Sequence, residues 1–158
     1  MATSLKHSIT DESADHRHPP NNIEAEMGLL AAVLENNRAY EKVSDFLKPE
    51  HFFDNLHGRI FQSCSVLIER NQQANPTTLK HIFDAEEFEA MGGHRYLAEL
   101  ASASLSIINT EDYGRLIYDL YLRRQLIEIG TDVVNEAYSN DPEENANNKI
   151  ENAEQSLY

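Results

Sequence analysis

Seven histidines, one cysteine and 27 carboxylates are the side chains of this 158-residue chain with the capacity for metal binding or acid–base work. A helical metal site needs ligands on one face, most simply two histidines four residues apart. His7, His16 and His18 fall in the first twenty residues, and His51, His57, His81 and His94 show no such pair. The spacing argues against a structural or catalytic metal, with His16-Arg17-His18 no more than a weak, stray binder. Cys64 lies among Ile60, Phe61, Leu67 and Ile68 at helical spacing, which reads as a small buried hydrophobe. No serine or cysteine sits in a recognisable nucleophile turn. Carboxylates spread along helix faces are the ordinary surface of an acidic protein. A phosphate-binding loop needs glycines followed by a lysine and a hydroxyl. The six glycines are scattered and none precedes a lysine. The chain is therefore expected to have no nucleotide hydrolysis, cofactor or covalent chemistry of its own, and to act by docking onto other proteins.

Composition narrows the partners. The formal net charge is −14, with 13 basic side chains. Such a chain repels phosphate backbones and gains little from counterion release, so autonomous DNA binding is not expected. One cysteine cannot form an internal disulfide, which suits a reducing cytoplasm. No apolar run approaches the roughly 20 residues that span a bilayer, and the N-terminus has no signal-peptide core. A soluble, cytoplasmic protein without a membrane partner is expected.

The elements that must position any docking surface are helical. Residues 1–20 are polar, end in Pro19-Pro20, and read as a disordered tail. Asn21 with Glu24 suggests a cap, after which Ile23, Met27, Leu30 and Leu34 repeat at helical steps. A short helix is predicted over Tyr40 to Leu47, closed by Pro49, with Phe52 and Phe53 as core anchors. The Cys64 helix follows. Asn75-Pro76-Thr77 makes a turn with a capping hydroxyl before Leu79, Ile82 and Phe83. Phe88 and Met91 occupy another helical turn, Gly92-Gly93 reverses the chain, and Tyr96, Leu97 and Leu100 mark a sixth helix. Ser102 to Asn109 is a connection containing Ile107 and Ile108. A long helix is predicted from about Glu111 to Tyr138, with Gly114 and Gly130 as weak points costing up to about 1 kcal/mol each. Asp141-Pro142-Glu143-Glu144 signals a last helix with Ala146, Ile150, Ala153 and Leu157 as its apolar stripe. The predicted fold is all-α: a compact bundle of about six short helices, then a long helix and a return helix forming a hairpin.

The long helix carries two apolar faces. At about 100° per residue, Tyr113, Leu116, Ile117, Leu120, Ile127 and Val134 share one side, assigned to the core. Tyr118, Leu122, Leu126, Ile129 and Val133 share the other. Cover within the domain is expected for Tyr118 and Leu122, near the helix start. The remaining residues, with the last helix, give a predicted subunit interface of Leu126, Ile129, Val133, Ile150, Ala153 and Leu157.

Several stretches, in order, resemble the N-terminal domain of the bacterial replicative DNA helicase, the hexameric DnaB-type motor. They are Asn22-Ile23-Glu24-Ala25-Glu26, Leu47-Lys48-Pro49-Glu50-His51-Phe52 and His57-Gly58-Arg59-Ile60-Phe61. Further along come Thr78-Leu79, Gly92-Gly93 with Tyr96-Leu97-Ala98-Glu99-Leu100, and Asn109 with Tyr113 leading to Arg123-Arg124-Gln125-Leu126-Ile127. The likeness runs from about Pro20 to Tyr158, with a helical domain over 21–138 and the start of a linker hairpin over 139–158. It departs from the family pattern at Met27 and Ala31, where family members carry Gln and Gly.

The resemblance implies a collar that self-associates as dimers and as a trimer of dimers. It also implies docking of primase, a helicase loader as a further partner, and DNA contacted only through the full-length ring. The family's motor domain, with its ATP and magnesium site, is not found before Tyr158, which suggests an excised segment or a truncated gene product. Two other readings compete. One is the helicase-binding helical domain of a primase, whose motifs match less well. The other is a small helical enzyme, disfavoured by the absence of a convergent polar constellation.

Overall fold

In a computed structural model the described residues are 17–90, 92–102, 109–139 and 142–158. The predicted tail is therefore described only from Arg17, and Met91, Ile107, Ile108 and Asp141 lie outside the described residues. Among the described residues there are seven α-helices, two 3-10 turns and no strand, so the all-α expectation holds.

Helix α1, Ile23–Glu35, is the centre of the bundle. Of its predicted stripe Leu30 and Leu34 are buried and Ile23 and Met27 half-buried, while Ala25, Leu29, Ala31 and Val33 on its other sides are buried. A helix apolar nearly all round must be enclosed, and the helices α2 (Asn55–Glu69), α5 (Gly93–Ser102) and α6 (Thr110–Tyr138) enclose it. Its cap is Asn22 and not Asn21, with the Asn22 carboxamide oxygen accepting from the Ala25 N–H at 2.9 Å.

The segment predicted as a helix over Tyr40 to Leu47 is instead a 3-10 turn, Asn37–Lys42, followed by tight turns that bury Val43 and Leu47. Tighter winding brings those two side chains and Tyr40 to the core within few residues. Pro49 both ends that stretch and opens a second 3-10 turn, Pro49–His51, where its missing N–H costs nothing. Phe52 is buried as expected, but Phe53 is 39% exposed and lies beneath a guanidinium instead of in the core.

Helix α2, Asn55–Glu69, buries Ile60, Phe61, Cys64 and Leu67. Burial pushes the Cys64 thiol up to about 12, which suppresses the thiolate that nucleophilic or metal chemistry needs. Helix α3, Pro76–Lys80, is capped by Asn75 and Thr78 reciprocally, not by the Thr77 hydroxyl. It carries Leu79 into the core, whereas Ile82, beyond its end, is 43% exposed. Helix α4, Ala85–Ala90, contributes Phe88, and α5, Gly93–Ser102, contributes Leu97 and Leu100. Between them Gly92 and Gly93 take φ of +102° and +64°, which L side chains rarely adopt, so the reversal needs this pair.

Helix α6, Thr110–Tyr138, matches its predicted span within one residue. At Gly114 the helix backbone packs directly on the bundle, because an added Cβ would stand 2.5 Å from Val43 Cγ1 and 3.1 Å from Phe46 Cζ. Sequence propensity treats Gly114 as a weakness, while packing makes it a requirement. Gly114→Ala should gain helix propensity yet lose about 1–3 kcal/mol through overpacking. Chemical denaturation checks this: a midpoint equal to or above wild type would show that α6 does not sit this close.

Helix α7, Ala146–Leu157, starts four residues after Pro142 and not at it. The Asn145 side chain caps it by accepting from Asn148 N–H at 3.0 Å.

Candidate assembly surface

The first half of α6 is tied into the bundle by a socket of aromatic and polar groups. Arg124 donates to the carbonyl of Pro20 at 2.7 Å and to that of His51 at 2.8 Å, while its guanidinium lies 5.4 Å from the Phe53 ring centre. The His51 ring packs against Tyr118 and Tyr121, at 4.9 and 4.5 Å between centroids. Tyr118 is thus covered within the monomer as expected, but Leu122 is not, at 42% exposure.

His51 Nδ1 accepts from the Lys48 N–H at 2.9 Å, a bond available only while that nitrogen carries no proton. Burial, opposed by Glu50 and reinforced by Lys48 and Arg124, lowers its pKa below the ordinary 6.5. A lowered folded-state value means that the unfolded chain takes the proton first as pH falls. The contribution of His51 is therefore complete above about pH 6.5 and is lost below it. Stability of His51→Asn, which keeps an acceptor but does not titrate, should fall less than that of wild type between about pH 7 and pH 5. Parallel stability profiles would contradict this.

A second buried polar cluster joins α1, α2 and α5. Glu26 and His57 are 2% and 0% exposed. The carboxylate of Glu26 accepts from Phe53 N–H at 2.8 Å and Asp54 N–H at 3.3 Å, and meets His57 Nδ1 at 3.0 Å. His57 Nε2 lies 2.5 Å from the Tyr96 hydroxyl. Burial, then the negative charges of Asp54, Glu26 and Glu99, raise the Tyr96 pKa, so its phenol keeps its proton as a donor. One tautomer, with Nδ1–H donating to Glu26 and Nε2 accepting from Tyr96, satisfies all three groups. Histidine pairing along one helix does not reveal this cluster, because its members come from three helices. The available signal was Glu26, one turn inside the start of a helix whose following residues are almost all apolar.

Beyond this socket α6 leaves the bundle. Ile117 is its last buried residue, and exposure then reaches 58% at Leu126, 55% at Ile127 and 53% at Val134. The assignment of Leu116, Ile127 and Val134 to the core is therefore corrected: Leu116 lies at the rim of the face that buries Gly114 and Ile117, and Ile127 and Val134 lie where the bundle no longer stands opposite α6. Helix α7 returns along the projecting half. Lys149 Nζ pins the hairpin by donating to the carbonyls of Glu136 at 2.5 Å and Ser139 at 2.7 Å, in the last turn and at the C-cap of α6.

Between the two helices runs an open apolar groove. Val133 and Ala137 of α6 face Ala146, Ile150, Ala153 and Leu157 of α7 across it. Four of the six predicted interface residues, Val133, Ile150, Ala153 and Leu157, are thereby brought together. Leu126 and Ile129 do not line the groove. They continue the Val133 face of α6 toward the bundle, Leu126 exposed and Ile129 half-buried. No residue of α7 is buried, and Ile150 and Leu157 stand 57% and 63% exposed. Among the described residues no three His, Cys, Asp or Glu side chains are grouped to hold a metal ion. The chemistry of this surface is that of apolar association.

Residues 18–119 match the family model of the DnaB-like helicase N-terminal domain. The chain belongs to this family. A replicative DNA helicase DnaB of Rickettsia felis is 41% identical over 157 residues, spanning 97% of the chain and 32% of the relative. The corresponding DnaB of Rickettsia bellii is 44% identical over 140 residues, spanning 88% of the chain and 28% of the relative. The chain thus spans about three-tenths of the length of these DnaB relatives.

The crystal structure of the DnaB N-terminal domain from Mycobacterium tuberculosis superposes with a TM-score of 0.81 at 25% identity, covering 89% of this chain and 99% of that one. A DnaB-like replicative helicase, described with its interactions with primase, shares the fold with a TM-score of 0.68 at 22% identity. It covers 86% of this chain and 31% of that one. The matched region corresponds to the N-terminal domain of the DnaB family.

Proposed function

We propose that this chain is the oligomerisation and primase-docking domain of a replicative DNA helicase, acting in DNA replication and primosome assembly. The observation that carries the reading is the exposed apolar groove of the α6–α7 hairpin. A contiguous apolar surface on a helix with no buried residue of its own is stable in water chiefly when another surface covers it. In this reading Leu126, Ile129, Val133, Ile150, Ala153 and Leu157 meet their counterparts in a second copy. The dimer is the unit of a trimer of dimers in the intact ring. The parent protein is an ATP-dependent DNA-unwinding motor of the cytoplasm. ATP and magnesium belong to its motor domain, DNA passes through the ring, and a helicase loader is a further partner.

Membership of the DnaB N-terminal family supports docking of primase, since a DnaB-like helicase is described with its interactions with primase. Titrating the chain with the helical C-terminal domain of a primase tests this. A saturable complex is expected. Failure to bind primase combined with binding to an intact helicase ring would instead assign the chain to the primase side.

A further inference from the structure

The hairpin that carries the assembly groove is held by few contacts. Helix α7 packs on α6 without burying any residue of its own, and two of the apolar side chains it turns to the groove, Ala146 and Ala153, are alanines. Alanines offer little area and little shape to fix the rotation of one helix on another. With 12 residues, α7 is also at the length where a helix alone in water is marginal. Its place on α6 therefore depends on a directional tie.

Lys149 supplies that tie. Its Nζ donates to the Glu136 carbonyl at 2.5 Å and to the Ser139 carbonyl at 2.7 Å, and its side chain lines the groove beside Ile150. A cation suits this end of α6, where the helix dipole is negative. Because both acceptors lie at the end of α6 and Lys149 lies in the first turn of α7, the two bonds fix separation and rotation together. Slipping α7 by one residue would turn Lys149 about 100° away from them, and Ile150 and Leu157 would leave the groove with it. Beyond Arg124, Lys149 is the only cationic side chain in the sequence, against eight carboxylate residues. No other cation of the hairpin can replace it.

We propose that Lys149 is the latch of the hairpin: its two bonds hold α7 on α6 in the register that forms the assembly groove. The proposal rests on the reading of this groove as the self-association surface, and names the residue that controls whether the surface exists. Lys149 acts as a positioning residue, through Ile150, Ala153 and Leu157.

The test is hydrogen exchange on the full chain at low concentration. Self-association is followed in parallel by sedimentation at about 300 mM salt, which screens repulsion between acidic hairpins. Lys149→Met keeps the length of the stem and a similar helix propensity but removes the donors. Amide exchange in α7 should rise by about fivefold or more, less than a fully buried charged hydrogen bond would give because Lys149 is half-buried. Exchange in α1 to α5 should not move. Self-association should weaken by about fourfold or more, since a symmetric contact needs α7 closed in both copies. Lys149→Arg retains donors for both carbonyls and should restore most of the protection. Gln155→Glu makes the same change of net charge at an exposed position of α7, and should match wild type in both measurements.

Wild-type exchange rates in α7 of Lys149→Met would overturn the proposal. So would Gln155→Glu behaving like Lys149→Met, Lys149→Arg doing no better than methionine, or an opened α7 with undiminished association. The two readings fail separately. A wild-type chain that never associates, yet loses α7 protection on Lys149→Met, sinks only the assembly reading, whereas association with an α7 indifferent to Lys149 sinks only the latch.

Discussion

Glu26→Ala is expected to remove about 3–5 kcal/mol of stability, because it leaves three buried N–H donors without their acceptor, at about 1–3 kcal/mol each and less than additively. Domains of this size have about 5–15 kcal/mol in total, so the variant should lie close to unfolding at 37 °C. The reason is that one carboxylate satisfies three donors. Without it the Phe53 and Asp54 N–H groups and His57 Nδ1 are left in an environment where Glu26 is 2% and His57 0% exposed. These groups sit where the start of α2 meets α1, and Tyr96 extends the same chain of bonds to α5. Tyr96→Phe should cost less, about 1–3 kcal/mol, because only His57 Nε2 loses its partner. Urea unfolding monitored by circular dichroism measures both. A Glu26→Ala midpoint within experimental error of wild type would show that the cluster does not hold the three helices together.

The second large effect is on assembly. Ile129→Asp with Val133→Asp should raise the dissociation constant for self-association by about a hundredfold or more. Each buried aliphatic side chain contributes about 1.5–3 kcal/mol, and the symmetric contact loses it from both copies. Both positions lie beyond Ile117, the last buried residue of α6, so helicity and the denaturation midpoint should hardly change. Loss of helical signal would place these side chains in the domain core instead. Unchanged association would remove this face from the interface.

Much of the fold is legible in the sequence because helix periodicity is a local property. The span of α6 follows within one residue from Glu111 and Asp112 at its start and from the absence of a breaker before Tyr138. The stripe Ala146, Ile150, Ala153 and Leu157 follows from spacing alone, and four of the six predicted interface residues meet in one groove. Periodicity states which side chains share a face, not what the face meets. Ile127 and Val134 continue the face of Tyr113 and Ile117, which is why spacing assigns them to the core, yet the bundle ends before they are reached.

Contacts distant in sequence are illegible for the same reason. Glu26 and His57 are 31 residues apart, and Arg124 reaches Pro20 across 104. A charged residue on a helix reads as solvated unless its partner is known. Gly114 misleads in the opposite sense: propensity registers the missing side chain, and only packing against Val43 and Phe46 explains it.

Sedimentation equilibrium of the wild-type chain over a wide concentration range tests most directly whether the hairpin is an assembly surface. The expected result is a mass that climbs with concentration from one chain of 18.0 kDa toward twice that value, more readily at higher salt, and that stays near one chain in the Ile129→Asp, Val133→Asp variant. A strictly monomeric wild-type chain at high concentration and high salt would contradict it.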